Sequence, residues 1–197
     1  MRKVLAASLL VSALLLSACF GIWERGGGTS WTPGWKEPVE NPRDWKAIVI
    51  HHSASARGNA ATFDEWHKAK GWDGLGYHFV IGNGTGSGNG EIEIGFRWHE
   101  QREGAHAGNT WYNQHGIGIC LVGNFEEEES EPTFSQMTAL VRLCIHLTEI
   151  FGIPDSAIVP HKAVRDAERG TTDCPGKNFD MEEFRGLVAG TREKDPR

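Results

Sequence analysis

The chain has 197 residues, which leaves room for one domain of ordinary size with short appendages. Its 26 acidic residues outnumber its 20 basic residues, and the formal net charge is −6 at pH 7. An acidic chain gains nothing from the negative backbone of DNA or RNA, so no nucleic-acid partner is expected. Four cysteines in a chain of this length do not indicate a scaffold held together by disulfides.

The first residues follow the plan of a secretory signal. A basic start at Met1–Lys3 precedes an apolar run over residues 4–16, which is too short to span a bilayer. The run ends in Leu16-Ser17-Ala18-Cys19, which resembles a bacterial lipobox with Cys19 as the lipidated first residue after cleavage. We therefore expect a lipoprotein signal peptide over residues 1–18. The alternative is an ordinary signal peptide that happens to contain a cysteine.

The rest of the chain divides by composition. Residues 19–44 are rich in glycine and proline and show no apolar period, so they are predicted to form a tether. The domain is expected over residues 45–190, followed by a tail over 191–197. With Cys19 assigned to lipid, an odd number of cysteines remains, so at least one should have a role other than pairing: Cys120, Cys144 and Cys174.

Hydrophobic patterns predict strands that alternate with helices. The strands are expected at residues 48–50, 76–81, 91–98 and 117–123, with a short extended segment at 158–161. Helices are expected at residues 62–70, 133–151 and 180–188, the first two with capping boxes that begin at Thr62 and Thr133. This order predicts an α/β fold with a single mixed central sheet flanked by helices, the longest of them against one face.

Alternation along the strand at 117–123 separates two cysteines. Ile117, Ile119 and Leu121 share one face and should pack against the helix at 133–151, which carries Cys144. Cys120 then points to the opposite face of the sheet. A disulfide between Cys120 and Cys144 remains an alternative for a protein outside the cytoplasm.

Two extended segments end in histidine. His51 follows the β-branched run 48–50, and alternation predicts that His51 and His52 point to opposite faces. His161 ends the segment at 158–161, and Cys174 follows 13 positions later. Two imidazoles and one thiolate form a three-ligand zinc site that leaves the fourth position open for water, as in catalytic zinc sites. A bound zinc ion lowers the pKa of that water to about 7.

Five blocks in order resemble the zinc-dependent N-acetylmuramoyl-L-alanine amidases, whose fold is shared with T7-type lysozyme and the peptidoglycan recognition proteins. The resemblance covers roughly residues 46–190. The blocks are Ile48–Ala54, Gly76–Ile81, Gly104–Asn109, Asn113 with Gly116–Gly123, and His161 with Thr172–Gly176.

The resemblance implies zinc on His51, His161 and Cys174. It also implies catalytic roles for Tyr77 and Thr172 beside the metal, and a substrate-binding role for His106 and Asn109. Two features depart from other members of the family. The segment 162–170 is longer than in compact members, and Cys120 stands where some bacterial amidases have a general-base glutamate.

The expected function is hydrolysis of the amide bond between N-acetylmuramic acid and L-alanine in peptidoglycan or muropeptides. A non-catalytic peptidoglycan receptor on the same fold is the main alternative, and a protease of cross-link peptides would use the same metal chemistry. We expect a monomer in the bacterial cell envelope, anchored through lipid at Cys19 and facing the periplasm or the extracellular side.

Overall fold

The computed structural model describes residues 34–36 and 39–194. The predicted signal peptide, the lipidation at Cys19, most of the predicted tether and the last three residues of the predicted tail lie outside the described residues. Within the described ranges, no helix combines the length and the apolar composition needed to cross a bilayer.

Five strands form one central sheet. In chain order they are β1 (Ala47–His52), β2 (Phe79–Ile81), β3 (Ile92–Ile94), β4 (Gly116–Leu121) and β5 (Ile158–Pro160). Their spatial order is β3-β2-β4-β1-β5, and only the β2–β3 pair is antiparallel. The predicted mixed sheet is therefore confirmed. The central strands β1 and β4 are buried along their whole length, as expected for strands covered on both faces.

Helices flank the sheet, as predicted. They are α1 (Ala60–Ala69), α2 (Phe96–His99), α3 (Thr110–His115), α4 (Phe134–Phe151) and α5 (Met181–Lys194). The predicted capping box of α4 is present between Thr133 and Gln136, and the helix ends at Gly152 in the left-handed region with φ 64°. Glycine suits that position because it has no Cβ to clash.

The two faces of the sheet carry different clusters. The main core joins α4 to one face of β1 and β4, and it contains Cys144 together with Ile50, Ile119 and Leu121. Cys120 lies in a smaller cluster on the opposite face. All three cysteines of the described ranges are unpaired, so the alternative of a disulfide between Cys120 and Cys144 is not realised.

The predicted start of α1 was wrong. The helix begins at Ala60, and its N-cap is Asn59, whose side-chain oxygen accepts a 2.8 Å hydrogen bond from the backbone N–H of Thr62. The Asn59 amide also donates to the Gly86 carbonyl over 2.9 Å. Both residues can cap a helix, and this contact with a distant loop favours Asn59.

The predicted strand at 91–98 was wrong in its second half. β3 ends at Ile94, and Gly95 serves as the N-cap of α2. Trp98 therefore lies on a helix, where its ring packs 6.3 Å from that of Trp45 and 4.7 Å from that of Phe79. The alternating pattern at 92, 94, 96 and 98 is typical of a strand, and the aromatic contacts of Trp98 override it after Ile94.

Two other boundaries differ from the predictions. β2 starts at Phe79 rather than at residue 76. The six-residue helix α3 was not predicted, because it has no apolar period and contains no buried residue. Its N-cap is Asn109, whose side chain accepts from the backbone N–H of Tyr112.

The described residues at both ends of the domain pack against it. Trp35 lies in a short 3-10 helix at Gly34–Lys36 and is buried, with its ring 5.5 Å from that of His146. Helix α5, predicted to end at residue 188, continues to Lys194. An ion pair of 2.8 Å between Arg192 and Asp155 holds its last turn.

Candidate metal centre

The structure brings His51, His161 and Cys174 together. Their ligand atoms all lie within 4.8 Å of one another, and all three residues are buried. His51 is near the carboxyl end of β1, and His161 directly follows the parallel neighbour β5. Carboxyl ends of neighbouring parallel strands meet at one edge of a sheet, which is where α/β folds place their sites. The loop that follows β5 then brings Cys174 to the same edge.

The spacing of these atoms fits a metal ion. His51 Nδ1 lies 3.7 Å from Cys174 Sγ. In a tetrahedral zinc site with ordinary bond lengths, a nitrogen and a sulfur ligand are separated by about 3.6 Å. Two nitrogens and one sulfur also form a donor set that zinc prefers. The residues present therefore fit the cofactor that the sequence predicts.

Burial lowers the pKa of both candidate histidine ligands. It lowers the pKa of His51 well below its ordinary value, with nearby His106 and His161 adding to the effect. Burial also lowers the pKa of His161 to about 4. Both rings are therefore neutral at pH 7, which is the form that binds metal.

The pKa of the Cys174 thiol shifts in the opposite direction, upward. Burial raises the pKa of Cys174 to about 12, although the backbone N–H of His52 partly offsets this effect. That N–H donates to Cys174 Sγ over 3.3 Å. Without a metal the sulfur is a protonated thiol, and a bound cation is what would stabilise its thiolate.

The predicted alternation of the two histidines is confirmed. The ring of His51 points to the metal ligands, whereas His52 Nδ1 accepts a 3.1 Å hydrogen bond from the backbone N–H of Phe125. The rings of His52 and Phe125 are 5.9 Å apart. His52 is therefore a hydrogen-bonded structural residue on the opposite face, and its backbone contacts the site.

Tyr77 and Thr172 both adjoin the candidate ligands. The Tyr77 ring is half-buried and lies 5.1 Å from the His51 ring. Burial raises the pKa of the Tyr77 hydroxyl well above 10, with Cys120 and Cys174 adding to the effect, so the group keeps its proton at neutral pH. The Thr172 hydroxyl oxygen accepts from the backbone N–H of Cys174 over 3.3 Å.

The side chains of the two residues predicted to bind substrate form hydrogen bonds within the protein. His106 is 7% exposed, and its ring nitrogens lie 3.0 Å from His51 Nε2 and 3.2 Å from the Gly116 carbonyl. Besides capping α3, Asn109 donates to the Asp166 carboxylate over 2.6 Å. Contact of either residue with substrate stays a prediction.

The segment 162–170, between His161 and Cys174, folds onto itself. Arg165 donates to the carbonyls of Arg169 and Gly170 over 2.7 and 3.0 Å. The backbone N–H of Lys162 donates to the Cys174 carbonyl over 2.8 Å. The start of this segment is therefore tied directly to the residue that supplies the sulfur.

Two residues at the site had no predicted role. The Ala107 carbonyl lies 3.1 Å from His161 Nε2. Asn113 Oδ1 accepts from the backbone N–H groups of both His106 and Ala107, each over 2.9 Å. A backbone carbonyl leaves no signal in a sequence, and Asn113 was noted only as part of a matching block.

Comparisons with known proteins agree with this geometry. The sequence profile described as N-acetylmuramoyl-L-alanine amidase matches residues 41–177, which is more than half of the chain. The chain is 35% identical over 107 residues to the endolysin of Escherichia phage T7. That match covers 51% of this chain and 65% of the endolysin, so just under two thirds of the relative is spanned.

Solved structures give matches over longer stretches. The endolysin amidase LysCS from Clostridium intestinale is 33% identical with a TM-score of 0.63, covering 82% of this chain and 93% of that one. A Drosophila PGRP-LB variant in complex with tracheal cytotoxin is 25% identical with a TM-score of 0.52, covering 74% and 82%. From the profile match and the likeness to LysCS, the chain belongs to the N-acetylmuramoyl-L-alanine amidase family.

Proposed function

We propose that this protein is a zinc-dependent amidase that cuts the bond between N-acetylmuramic acid and L-alanine in peptidoglycan or muropeptides. The observation that carries the proposal is the convergence of His51, His161 and Cys174 at one edge of the sheet, beside Tyr77. The family of the chain and its similarity to LysCS, an N-acetylmuramoyl-L-alanine amidase, support the same reaction.

The three ligands would hold the zinc ion through two neutral imidazoles and one thiolate. When bound, zinc supplies a Lewis acid that polarises a carbonyl and lowers the pKa of water. Three protein ligands leave a coordination position open, which is the usual arrangement of catalytic rather than structural zinc.

Tyr77 and Thr172 would stabilise the negative charge that develops on the carbonyl oxygen. The Tyr77 hydroxyl suits this role because its raised pKa keeps the proton available for donation at neutral pH. The Tyr77 ring packs against the small cluster that contains Cys120, on the face of the sheet opposite α4.

Cys120 does not replace a glutamate base. Burial raises the pKa of its thiol well above the ordinary value, so the group is protonated and neutral at pH 7. Proton transfer to the departing amine would then depend on water at the metal and on the Tyr77 hydroxyl rather than on a carboxylate.

A non-catalytic peptidoglycan receptor is the second candidate, because the PGRP-LB variant is described in complex with tracheal cytotoxin. The zinc-ligand set favours the enzyme, since a receptor needs the groove but not a thiolate placed next to two neutral imidazoles. A protease acting on cross-link peptides is distinguished from an amidase by its products.

The test is to measure zinc content and to digest intact sacculi in parallel with soluble muropeptides. An amidase releases stem peptides that begin at L-alanine, which mass spectrometry identifies, and Cys174→Ser serves as the inactive control. Stoichiometric zinc without hydrolysis, where a reference amidase works, would favour the receptor. Peptides cut within the cross-link would indicate a protease.

We also propose that the protein is a monomer, anchored in the bacterial envelope through lipid on Cys19. The support is the signal-like order of residues 1–19 in the sequence. Membrane fractionation of the wild type and of Cys19→Ala tests the anchor. A Cys19→Ala protein that stays in the membrane fraction would contradict lipidation, and sizing of the released protein tests the monomer.

A further inference from the structure

Both candidate histidine ligands contact the same two-residue segment. His51 Nε2 lies 3.0 Å from His106 Nδ1, and His161 Nε2 lies 3.1 Å from the carbonyl of the next residue, Ala107. In each ring the Nε2 atom is thus occupied by a protein partner. In both rings Nδ1 is the nitrogen left for a metal, and in His51 that atom lies 3.7 Å from Cys174 Sγ.

These contacts determine which nitrogen carries the proton. A carbonyl only accepts, so the Ala107 carbonyl requires an N–H at His161 Nε2. The Gly116 carbonyl, 3.2 Å from His106 Nε2, requires an N–H there in the same way. His106 Nδ1 then accepts from the N–H at His51 Nε2, which is the arrangement that leaves the lone pair of His51 Nδ1 for the metal. Both ligand rings therefore present a lone pair at Nδ1.

The segment is fixed in place from two sides. Asn113 Oδ1 accepts from the backbone N–H groups of both His106 and Ala107, each over 2.9 Å. On the other side, a Cβ at Gly118 would lie 2.5 Å from His106 Cδ2, so only glycine leaves room for the ring in this position. Asn113 itself has no hydrogen bond to a ligand side chain among the described contacts.

We propose that Asn113 is a positioning residue, which clamps His106 and Ala107 so that they fix the tautomer and orientation of both zinc-binding histidines. The proposal rests on the proposed zinc site and adds a function for residues outside the ligand set. Partners that hold the second ring nitrogen of a metal-bound histidine typically contribute 10- to 100-fold in metal affinity.

The test compares three variants by zinc affinity, measured with a competing chelator. Asn113→Ala removes the oxygen that holds both N–H groups, and we expect zinc affinity to fall by about 10- to 100-fold. Asn113→Asp keeps an acceptor oxygen and should restore most of that affinity. Asn83→Ala is the matched control, because Asn83 also bonds the backbone of a loop, through Ala56 and Thr85, away from the ligands.

A second readout does not depend on zinc. Nitrogen-15 NMR of the metal-free wild type should show His51, His106 and His161 each protonated at Nε2. In Asn113→Ala, His51 and His161 should become mixtures of both tautomers. Gly118→Ala should have the same effect on His51 without removing a polar atom.

The outcomes separate this inference from the proposed function. If wild type binds no zinc, the proposed function fails, and the NMR result still decides the inference. If wild type binds zinc and Asn113→Ala binds it as tightly, with unchanged tautomers, Asn113 has no positioning role. An equal loss of affinity in Asn83→Ala would also overturn the inference, because the effect would then be one of general stability.

Discussion

The backbone N–H of His52 donates a hydrogen bond to Sγ of Cys174 over 3.3 Å. His52 directly follows His51, whose Nδ1 lies 3.7 Å from the same sulfur. The end of β1 therefore supplies one candidate ligand and also binds another that lies more than a hundred residues later. Hydrogen bonds from N–H groups favour the charged form of a thiol, so this contact supports the thiolate that a zinc ion needs.

Substitutions of Cys174 should show how a thiolate, a hydroxyl and a carboxylate at this position differ in zinc binding and activity. Cys174→Ser should lose activity and most bound zinc, because a serine hydroxyl is a poor ligand at neutral pH. Cys174→Asp should keep zinc and measurable turnover, because carboxylates bind zinc at similar distances. Metal analysis of the purified variants, combined with product release from muropeptides, measures both effects. Wild-type zinc content in Cys174→Ser would contradict the ligand assignment.

Thiol alkylation provides an independent check on the same residue. Zinc-loaded protein should resist labelling at Cys174, and chelated protein should label there first. Cys174 is 7% exposed, whereas Cys120 and Cys144 are 0% exposed and serve as internal controls. Equal labelling rates at Cys174 with and without zinc would show that the sulfur is not a ligand.

Tyr77→Phe should lower turnover by about 100- to 1,000-fold and leave zinc content unchanged, because it removes one donor to the developing negative charge. Steady-state kinetics with a soluble muropeptide measures the loss. Tyr112→Phe is the matched control, since Tyr112 is the other of the two tyrosines and packs against Val49 in a separate cluster. Near-wild-type rates in Tyr77→Phe would remove this hydroxyl from the mechanism.

Zinc affinity should increase with pH. The Cys174 pKa of about 12 means that binding must displace a thiol proton, whereas the His161 pKa of about 4 means that this ring has none to lose at its ligand atom. One proton is then released per zinc bound, and the affinity should rise about tenfold per pH unit from about pH 6.5 to about 8.5. Chelator competition at several pH values measures the slope.

Cys174→Asp is the control for this dependence, because its carboxylate is already ionised in that range. Its affinity should be nearly independent of pH. A flat slope in the wild type would contradict a thiol ligand with a raised pKa.

The role of Asn59 as the N-cap of α1 can be tested by measuring the free energy of unfolding of variants. Asn59→Ala should lower the free energy of unfolding by about 1 kcal/mol, because it removes the acceptor for the Thr62 N–H. Thr62→Ala should change it by less than about 0.5 kcal/mol, since the Thr62 side chain is not the cap. Urea denaturation of both variants measures the difference. A larger loss in Thr62→Ala would restore the capping box predicted from the sequence.

The sequence by itself determined the features that local pattern encodes. The apolar period and capping residues of α4 predicted its start and end, and the β-branched run before His51 predicted a strand. Alternation along β1 and β4 correctly separated His51 from His52 and Cys120 from Cys144. The blocks that resemble the amidases named the three candidate ligands, because those blocks depend on residue type and order.

Only the tertiary structure decided the features that depend on contacts between distant residues. Asn59 rather than Thr62 caps α1 because a loop some 27 residues later binds the Asn59 side chain. Trp98 lies on a helix because Trp45 and Phe79 surround its ring. The contacts of His51 Nε2 with His106 and of His161 Nε2 with the Ala107 carbonyl join residues that are distant in the sequence. A backbone carbonyl is the same in every residue, so its role becomes visible only when folding brings it to a ligand.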